Sequence, residues 1–228
     1  MTVLGIDSTE KSGSAAITEN GVLIGQTVLN TGNTHSETLL LSVEYLLSLC
    51  GKTVGDIDLF ACSAGPGSFT GVRIGVSVIK GLAFGRGKPV IGVSALESMA
   101  TDFDGMKGGI VCPCMDARHN QLYNALFRCT GNGIERLVPD RAIDASDLAR
   151  ELESLNETVY FTGGGRDIAA NALGNKSLIG FVPEILHFEN ASGICRLAEK
   201  IFAAGGASTD TDLKPIYLRP SQAERAVM

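Results

Sequence analysis

The apolar positions at the start of the chain form short runs typical of strands. Residues 3–6 are apolar and end at Asp7, the pattern of a buried strand with a carboxylate at its end. Two further strand-like segments, 14–18 and 22–29, flank Asn20-Gly21, the dipeptide that most strongly indicates a hairpin. The first 30 residues are therefore predicted to form three consecutive antiparallel strands.

Helical spacing replaces this pattern in the next segments. Residues 34–50 begin with Thr34 and Glu37 in a capping-box arrangement. Their apolar positions cover an arc of about 220°, although a helix that covers one core needs little more than 100°. A strand over 59–64 leads through a glycine-rich corner into a second helix over 70–84, which carries two apolar stripes. Both helices are predicted to pack on two sides.

The order of elements repeats after a polar, glycine-containing break at 101–109. Three strands are predicted at Ile110–Met115, Leu122–Phe127 and Ile134–Val138. A helix, a strand and a helix follow, and the last clear helix spans 190–203. The halves share this order without a residue-level repeat. We predict an α/β fold with one lobe at 1–103, a second at 104–204 and a tail at 205–228 that returns to the first lobe.

Composition and charge narrow the classes of function. The chain has 19 Lys and Arg against 25 Asp and Glu, a net charge of −6, which argues against a stand-alone nucleic-acid binder. No run approaches the roughly 20 apolar residues of a membrane span, and no signal peptide is predicted. The six cysteines are then expected to be reduced thiols in the cytoplasm.

Three loops have features of anion-binding sites, although the P-loop and dinucleotide fingerprints are absent. The glycine-rich corner after residue 64 leads from a strand into a helix N-terminus, where free N–H groups favour an anion. A glycine turn precedes a later helix, and the carboxylate at the end of the first strand resembles the first phosphate loop of actin-like ATPases. Tight turns and helix caps are the alternative. The candidate residues are Asp7, Ser8, Gly13, Gly67, Ser68, Gly163, Gly164 and Gly165.

Metal and nucleophilic chemistry have little support. None of the three histidines has a partner at i+3 or i+4. Cys112 and Cys114 are a close thiol pair that we expect to point to opposite faces of their strand, with at least one in the core. There is no Gly-x-Ser-x-Gly elbow. We predict neither a metal ligand nor a catalytic residue.

The chain resembles the TsaB (YeaZ) family most specifically in Gly65–Gly75, followed by Gly87–Ser94. Shorter matches are Ile6–Thr9, Met115–Arg118 and Pro215–Arg219. The resemblance covers most of residues 1–100 and isolated segments beyond. It implies an actin-like (ASKHA, ribonuclease H-like) fold of two related lobes, each with a mixed sheet flanked by helices.

The resemblance also implies a role in making threonylcarbamoyladenosine beside the anticodon of tRNAs that read codons beginning with A. In that system TsaD transfers the group from threonylcarbamoyl-adenylate, TsaB is its obligatory partner, and TsaE, an ATPase, joins them. TsaD carries two metal-binding histidines at positions that here are Ala95 and Met99. The resemblance therefore implies a subunit without activity or cofactor of its own, and leaves open whether ATP or ADP binds at the partner interface.

The two-sided helices suggest how such a subunit would assemble. We hypothesise that they dock on the equivalent helices of TsaD, or of a second copy in a homodimer, unless both stripes are buried within the lobe. The candidate interface residues are Leu40, Leu41, Tyr45, Leu49, Ile74, Gly75, Val78, Gly81 and Leu82. Contact with tRNA is expected only through the complex. The alternative function is a small actin-like ATPase or kinase that uses Asp7 and the turn at 163–165.

Overall fold

The computed structural model describes residues 1–219, which form two compact units. Unit 1 comprises residues 1–98 and 189–216, and unit 2 comprises 99–188 with the described residues 217–219. The strands are β1 (Thr2–Asp7), β2 (Gly13–Glu19), β3 (Val22–Leu29), β4 (Leu59–Gly65), β5 (Val90–Ser94), β6 (Lys107–Asp116), β7 (Gln121–Thr130), β8 (Ile134–Asp144) and β9 (Val159–Thr162). The helices are α1 (His35–Leu49), α2 (Phe69–Ala83), α3 (Ala95–Ala100), α4 (Ala145–Leu155), α5 (Arg166–Ala172) and α6 (Ala191–Ala203).

Unit 1 is built on a five-stranded mixed sheet in the order β3-β2-β1-β4-β5. The first three strands are antiparallel, and β1, β4 and β5 run parallel. Asn20 and Gly21 have φ values of 52° and 79°, the left-handed values that a two-residue type I′ hairpin requires. The predicted three-stranded start of the chain is confirmed.

Helices cover both faces of this sheet. On one face, α1 and α2 pack their buried side chains against β1, β2 and β4. On the other face, α6 packs against β1 with its Ala191, Ile194 and Cys195. A Cβ on Gly5 would lie 2.7 Å from Cys195 Sγ and 2.9 Å from the Ala191 carbonyl oxygen. The absence of a side chain at Gly5 therefore lets α6 lie directly on the central strand.

Unit 2 contains a four-stranded mixed sheet in the order β8-β7-β6-β9. Strands β6, β7 and β8 are antiparallel, and β9 pairs parallel to β6. Helices α4 and α5 pack on this sheet around Leu148, Leu152 and Phe161. The order of strands matches β3-β2-β1-β4 of unit 1, so the predicted repetition of element order extends to sheet topology.

The structure corrects the expected lobe at 104–204. Helix α6 belongs to unit 1, because its apolar face is buried on the sheet of that unit. Helical periodicity showed that residues 190–203 bury one face but did not identify the sheet that they cover. After α6, the chain remains part of unit 1 as far as Ile216, whose N–H donates to the Ala64 carbonyl (2.7 Å). Residues 220–228 of the expected tail lie outside the described residues.

The expected orientation of the cysteine pair is wrong. Cys112 and Cys114 are both buried, and their sulfurs lie 3.6 Å apart on one face of β6. Side chains alternate along a strand, so residues two apart share a face. The Asn124 side-chain amide donates to Cys112 Sγ (3.2 Å) and to the Pro113 carbonyl (3.1 Å). Both thiols pack in the core of unit 2, where burial raises the pKa of Cys112.

We predict that Gly5→Ala destabilises the fold by about 1–3 kcal/mol, because the added methyl forces α6 away from β1. The measurement is urea unfolding followed by circular dichroism. Gly81→Ala in α2 is the matched control, since a Cβ there meets nothing within 4 Å. The control should gain about 0.5–1 kcal/mol from helix propensity. Equal stability changes in the two variants would contradict the packing argument.

Candidate functional site

Helix α1 presents a row of exposed apolar side chains on the side away from the sheet. Their exposed fractions are 44% for Leu40, 64% for Leu41, 61% for Tyr45 and 65% for Leu49. The opposite side of the same helix is buried in the core of unit 1. The broad apolar arc therefore has two parts, and the outer part has no cover among residues 1–219.

Helix α2 supplies the neighbouring side of this surface. Ile74, Val78 and Leu82 are half-buried against the core of unit 1, so their outer edges alone face solvent. A groove with a volume of about 470 Å³ lies against both helices, with Leu40, Ile74 and Val78 in its lining. We call the α1 row and these three residues the α1–α2 surface. The outer stripe of α2 is thus neither fully exposed nor fully buried, which is intermediate between the two alternatives for this helix.

The two glycines among the candidate interface residues, Gly75 and Gly81, have different surroundings. Gly75 is buried, and a Cβ on it would lie 2.7 Å from Ser8 Oγ, so this glycine accommodates the chain's own β1 loop. Its place among the candidate interface residues is wrong, because α2 turns this position towards the loop after β1. Gly81 is exposed with nothing within 4 Å of a Cβ built on it, so this candidate interface residue is accessible to a partner.

The carboxyl end of β1 holds Asp7 in a closed network. Asp7 is buried, and its Oδ1 accepts hydrogen bonds from the Thr9 N–H and hydroxyl, both at 2.7 Å. Its other oxygen accepts a hydrogen bond from the Ser63 hydroxyl. Neighbouring groups of the same chain therefore use both carboxylate oxygens.

The corner between β4 and α2 packs directly on the loop after β1. The Ser68 N–H donates to the Thr9 carbonyl (2.7 Å), and the Ser8 hydroxyl donates to the Gly71 carbonyl (2.9 Å). A side chain at Gly67 or Gly71 would overlap Thr9 or Ser8. Ser68 also caps α2 by accepting from the Gly71 N–H (3.3 Å). These contacts favour the interpretation of this corner as a tight turn with a helix cap.

A second buried carboxyl group, Glu189, lies near Asp7, and the sequence analysis missed it. Its Oε2 accepts a hydrogen bond from the Ser12 hydroxyl (2.6 Å). Burial and the nearby Glu10 carboxylate raise the pKa of Glu189 well above its usual value. Burial and the charge of Glu189 raise the pKa of Asp7 to about 6, despite its hydrogen bonds. No local pattern linked these residues, because the chain crosses the whole of unit 2 between them.

The other predicted loops also pack closely against the chain. At the turn before α5, the Gly165 N–H donates to the Cys114 carbonyl (2.8 Å). A Cβ on Gly163 would lie 2.5 Å from that same carbonyl oxygen, whereas Gly164 is exposed. Gly13 lies against the ring of His35, where its Cβ would be 3.0 Å from Nδ1. The residues 163–165 therefore form a tight turn on β6.

Two positions that the resemblance aligns with metal-binding histidines are apolar. Ala95 and Met99 are both buried. Across residues 1–219, no group of three or more His, Cys, Asp or Glu residues is placed to hold a metal ion. Over the same residues, no helix is both long enough and apolar enough to span a membrane.

Comparison with known proteins supplies the family. A family model described as TsaD, tRNA N6-adenosine threonylcarbamoyltransferase, matches residues 29–227. The tRNA threonylcarbamoyladenosine biosynthesis protein TsaB of Bacillus subtilis (strain 168) is 30% identical over 231 residues, which cover 98% of this chain and 96% of that protein. The chain belongs to the TsaB (YeaZ) family.

A solved structure and a longer transferase are also similar to this TsaB-family chain. YeaZ from Pseudomonas aeruginosa matches 95% of this chain and 99% of its own, with a TM-score of 0.81 and 23% identity, and shows the same fold. The expected two-lobed actin-like architecture is thereby confirmed. The tRNA N6-adenosine threonylcarbamoyltransferase of Jannaschia sp. (strain CCS1) is 37% identical over 119 residues, covering 44% of this chain but only 33% of that longer protein.

We predict that the buried carboxyl of Asp7 makes this TsaB-family fold less stable as the pH rises from about 4 to about 6. The pKa of Asp7 is about 6 in the folded chain and 3.8 in the unfolded reference, so the folded state binds more protons in this window. Asp7→Asn should remove up to about 2–3 kcal/mol of this pH dependence. The measurement is urea unfolding at pH 4 and pH 7.

Asp58→Asn is the control with the opposite sign. Hydrogen bonds from the Thr2 N–H and Lys88 lower the pKa of Asp58, so its contribution is present at neutral pH and is lost as the pH falls. An Asp7→Asn variant with the pH dependence of the parent would show that burial leaves this carboxyl unperturbed.

Proposed function

We propose that the chain is a non-catalytic partner of TsaD in the formation of threonylcarbamoyladenosine in tRNA, and that it docks through the α1–α2 surface. The observation that carries this proposal is the uncovered apolar row on α1, which includes Leu41, Tyr45 and Leu49. Membership of the TsaB family and the match to a TsaD family model support the choice of partner.

The physical properties of the surface fit a helix-on-helix interface. Exposed apolar patches with half-buried neighbours are typical of protein–protein contacts, and aromatic side chains such as Tyr45 are enriched in such sites. Full burial of an aliphatic or aromatic side chain contributes about 1.5–3 kcal/mol, so this row supplies a substantial part of a stable interface. Gly81 permits close approach of a second helix.

Several features support the absence of activity in this subunit alone. The side chains of Ala95 and Met99 cannot replace imidazole as ligands of a hard or borderline cation. Asp7, Ser8 and Ser68 make hydrogen bonds within their own chain rather than facing an open phosphate site. We therefore propose that any ATP or ADP binds only where this chain meets its partner.

The same surface accounts for the other proposed assemblies. A second copy of the chain would cover the α1 row in a homodimer when TsaD is absent, and TsaD would displace it. We further propose that TsaE joins the heterodimer, that tRNA binds through the assembled complex, and that the complex works in the cytoplasm.

We predict that Leu41→Asp abolishes co-purification with TsaD, because it places a charge in the centre of an apolar contact. Val22→Asp is the matched control, since Val22 on β3 has the same exposed fraction, 64%, on a different surface. Both variants should retain the thermal stability of the parent.

In a reconstituted system, threonylcarbamoyladenosine in tRNA should be lost with Leu41→Asp or on omission of the chain. Undiminished modification without the chain would refute the proposed function.

We predict that the isolated chain neither binds ATP tightly nor hydrolyses it. Calorimetric titration and phosphate release measure the two properties, and the heterodimer is tested in parallel. Tight binding with turnover by the isolated chain would instead support the alternative of a small actin-like ATPase or kinase.

A further inference from the structure

The corner between β6 and β7 has an unusual backbone. Arg118, His119 and Asn120 have φ values of 70°, 55° and 59°, so three successive residues with side chains are left-handed. L-amino acids disfavour this conformation, with Asn the least affected, and runs of it are rare. Such strain persists only where the surrounding structure imposes it, and it is concentrated at functional sites.

Hydrogen bonds hold this corner in one conformation. The Asp116 carboxylate accepts from the Arg118 N–H (2.7 Å), and the Ala117 N–H donates to the Gln121 carbonyl (2.9 Å). The Asn120 carbonyl accepts from the N–H of Ala145 (3.1 Å) at the start of α4. On the other side, the Arg219 guanidinium donates to the Ala117 carbonyl (3.1 Å). The strained residues are therefore fixed from both ends of the corner.

The side chain of Arg118 differs from the other arginines of this part of the chain. Within residues 99–188, all of which the structure describes, each of the other five arginines lies within 4 Å of a carboxylate oxygen. These pairs are Arg128–Glu157, Arg136–Asp140, Arg141–Glu151, Arg150–Asp147 and Arg166–Glu184. Arg118 is exposed and has no such partner in residues 1–219. The strained corner thus presents a guanidinium that pairs with no carboxylate of residues 1–219.

The same corner carries two further hydrogen-bond donors. The backbone N–H groups of His119 and Asn120 have no acceptor within the described chain, and both residues are exposed. The Asp116 carboxylate of the corner already accepts the Arg118 N–H at its Oδ1, and Asp144, the register partner of Gln121, lies at the adjoining start of α4. A fixed group of N–H donors beside an arginine is suited to the oxygens of a phosphate.

We infer that residues 118–120 bind a phosphate of an RNA backbone. The inference rests on the proposed function, because the complex brings tRNA to a chain whose net charge of −6 is unsuited to binding RNA alone. Phosphate contacts fix position and orientation without reading sequence. A rigid corner with one guanidinium is appropriate for that task, since little side-chain and backbone freedom remains to be lost on binding.

The test measures binding of fluorescein-labelled tRNA to the complex of this chain with TsaD by anisotropy, at salt concentrations from about 50 to 200 mM. Arg118→Gln should weaken binding about tenfold and reduce the salt dependence by about one unit of slope in log K against log salt. Arg150→Gln is the matched control, because Arg150 is 78% exposed in the same unit but pairs with Asp147. The control should bind tRNA as the parent does.

The possible outcomes separate this inference from the proposed function. Failure of the parent chain to form the complex would refute the proposed function, and this inference with it. An intact complex in which Arg118→Gln binds tRNA with the parent's affinity and salt slope would overturn the inference alone. Loss of co-purification with TsaD in Arg118→Gln would also overturn it, because the corner would then contact an acidic protein surface rather than RNA.

Discussion

The contact between the glycine-rich corner after β4 and the loop after β1 determines the arrangement of unit 1. Ser68 and Gly71 exchange hydrogen bonds with Thr9 and Ser8, and a side chain at Gly71 would overlap the Ser8 carbonyl. This contact places the N-terminus of α2 against the central strand. Because α1 packs beside α2 on the same face, the position of the exposed α1 row follows from it. The specific Gly65–Gly75 segment is explained by this packing.

The opposite face of the same sheet depends on residues that are distant in sequence. Gly5 lets α6 lie on β1, and Glu189, just before α6, is buried beside Asp7 and Ser12. Burial raises the pKa of both carboxyl groups, and the charge of Glu189 adds to the shift at Asp7. Through the Ser12–Glu189 hydrogen bond, the segment just before α6 is attached to the loop between β1 and β2. Burial of the two carboxyl groups costs free energy, and this cost depends on pH. In the structure, a region that resembles a phosphate loop is thus filled by the chain's own polar groups.

The sequence predicted the features that depend on neighbouring residues but not those that depend on residues far apart in the chain. The hairpin at Asn20-Gly21 and the capping box, in which Glu37 accepts from the Thr34 N–H (3.1 Å), depend on neighbouring residues and were found. The sheet that α6 covers, the burial of Glu189 and the inward direction of Gly75 depend on residues far along the chain. The apolar arc of α1, which is too wide for one core, already indicated a second apolar face. Only the tertiary structure showed that this face is exposed.

The sequence by itself determined the α/β class, the repeated order of strands and helices, the family and the absence of histidines at the aligned metal-binding positions. These features follow from periodicity, turn chemistry and motif identity, which act over a few residues. Only the tertiary structure decided which apolar stripe stayed exposed, that the β1 loop is closed, and that Arg118, on a strained corner, has no carboxylate partner within residues 1–219. Burial and charge pairing depend on residues that are distant in sequence, so a local sequence pattern does not predict them.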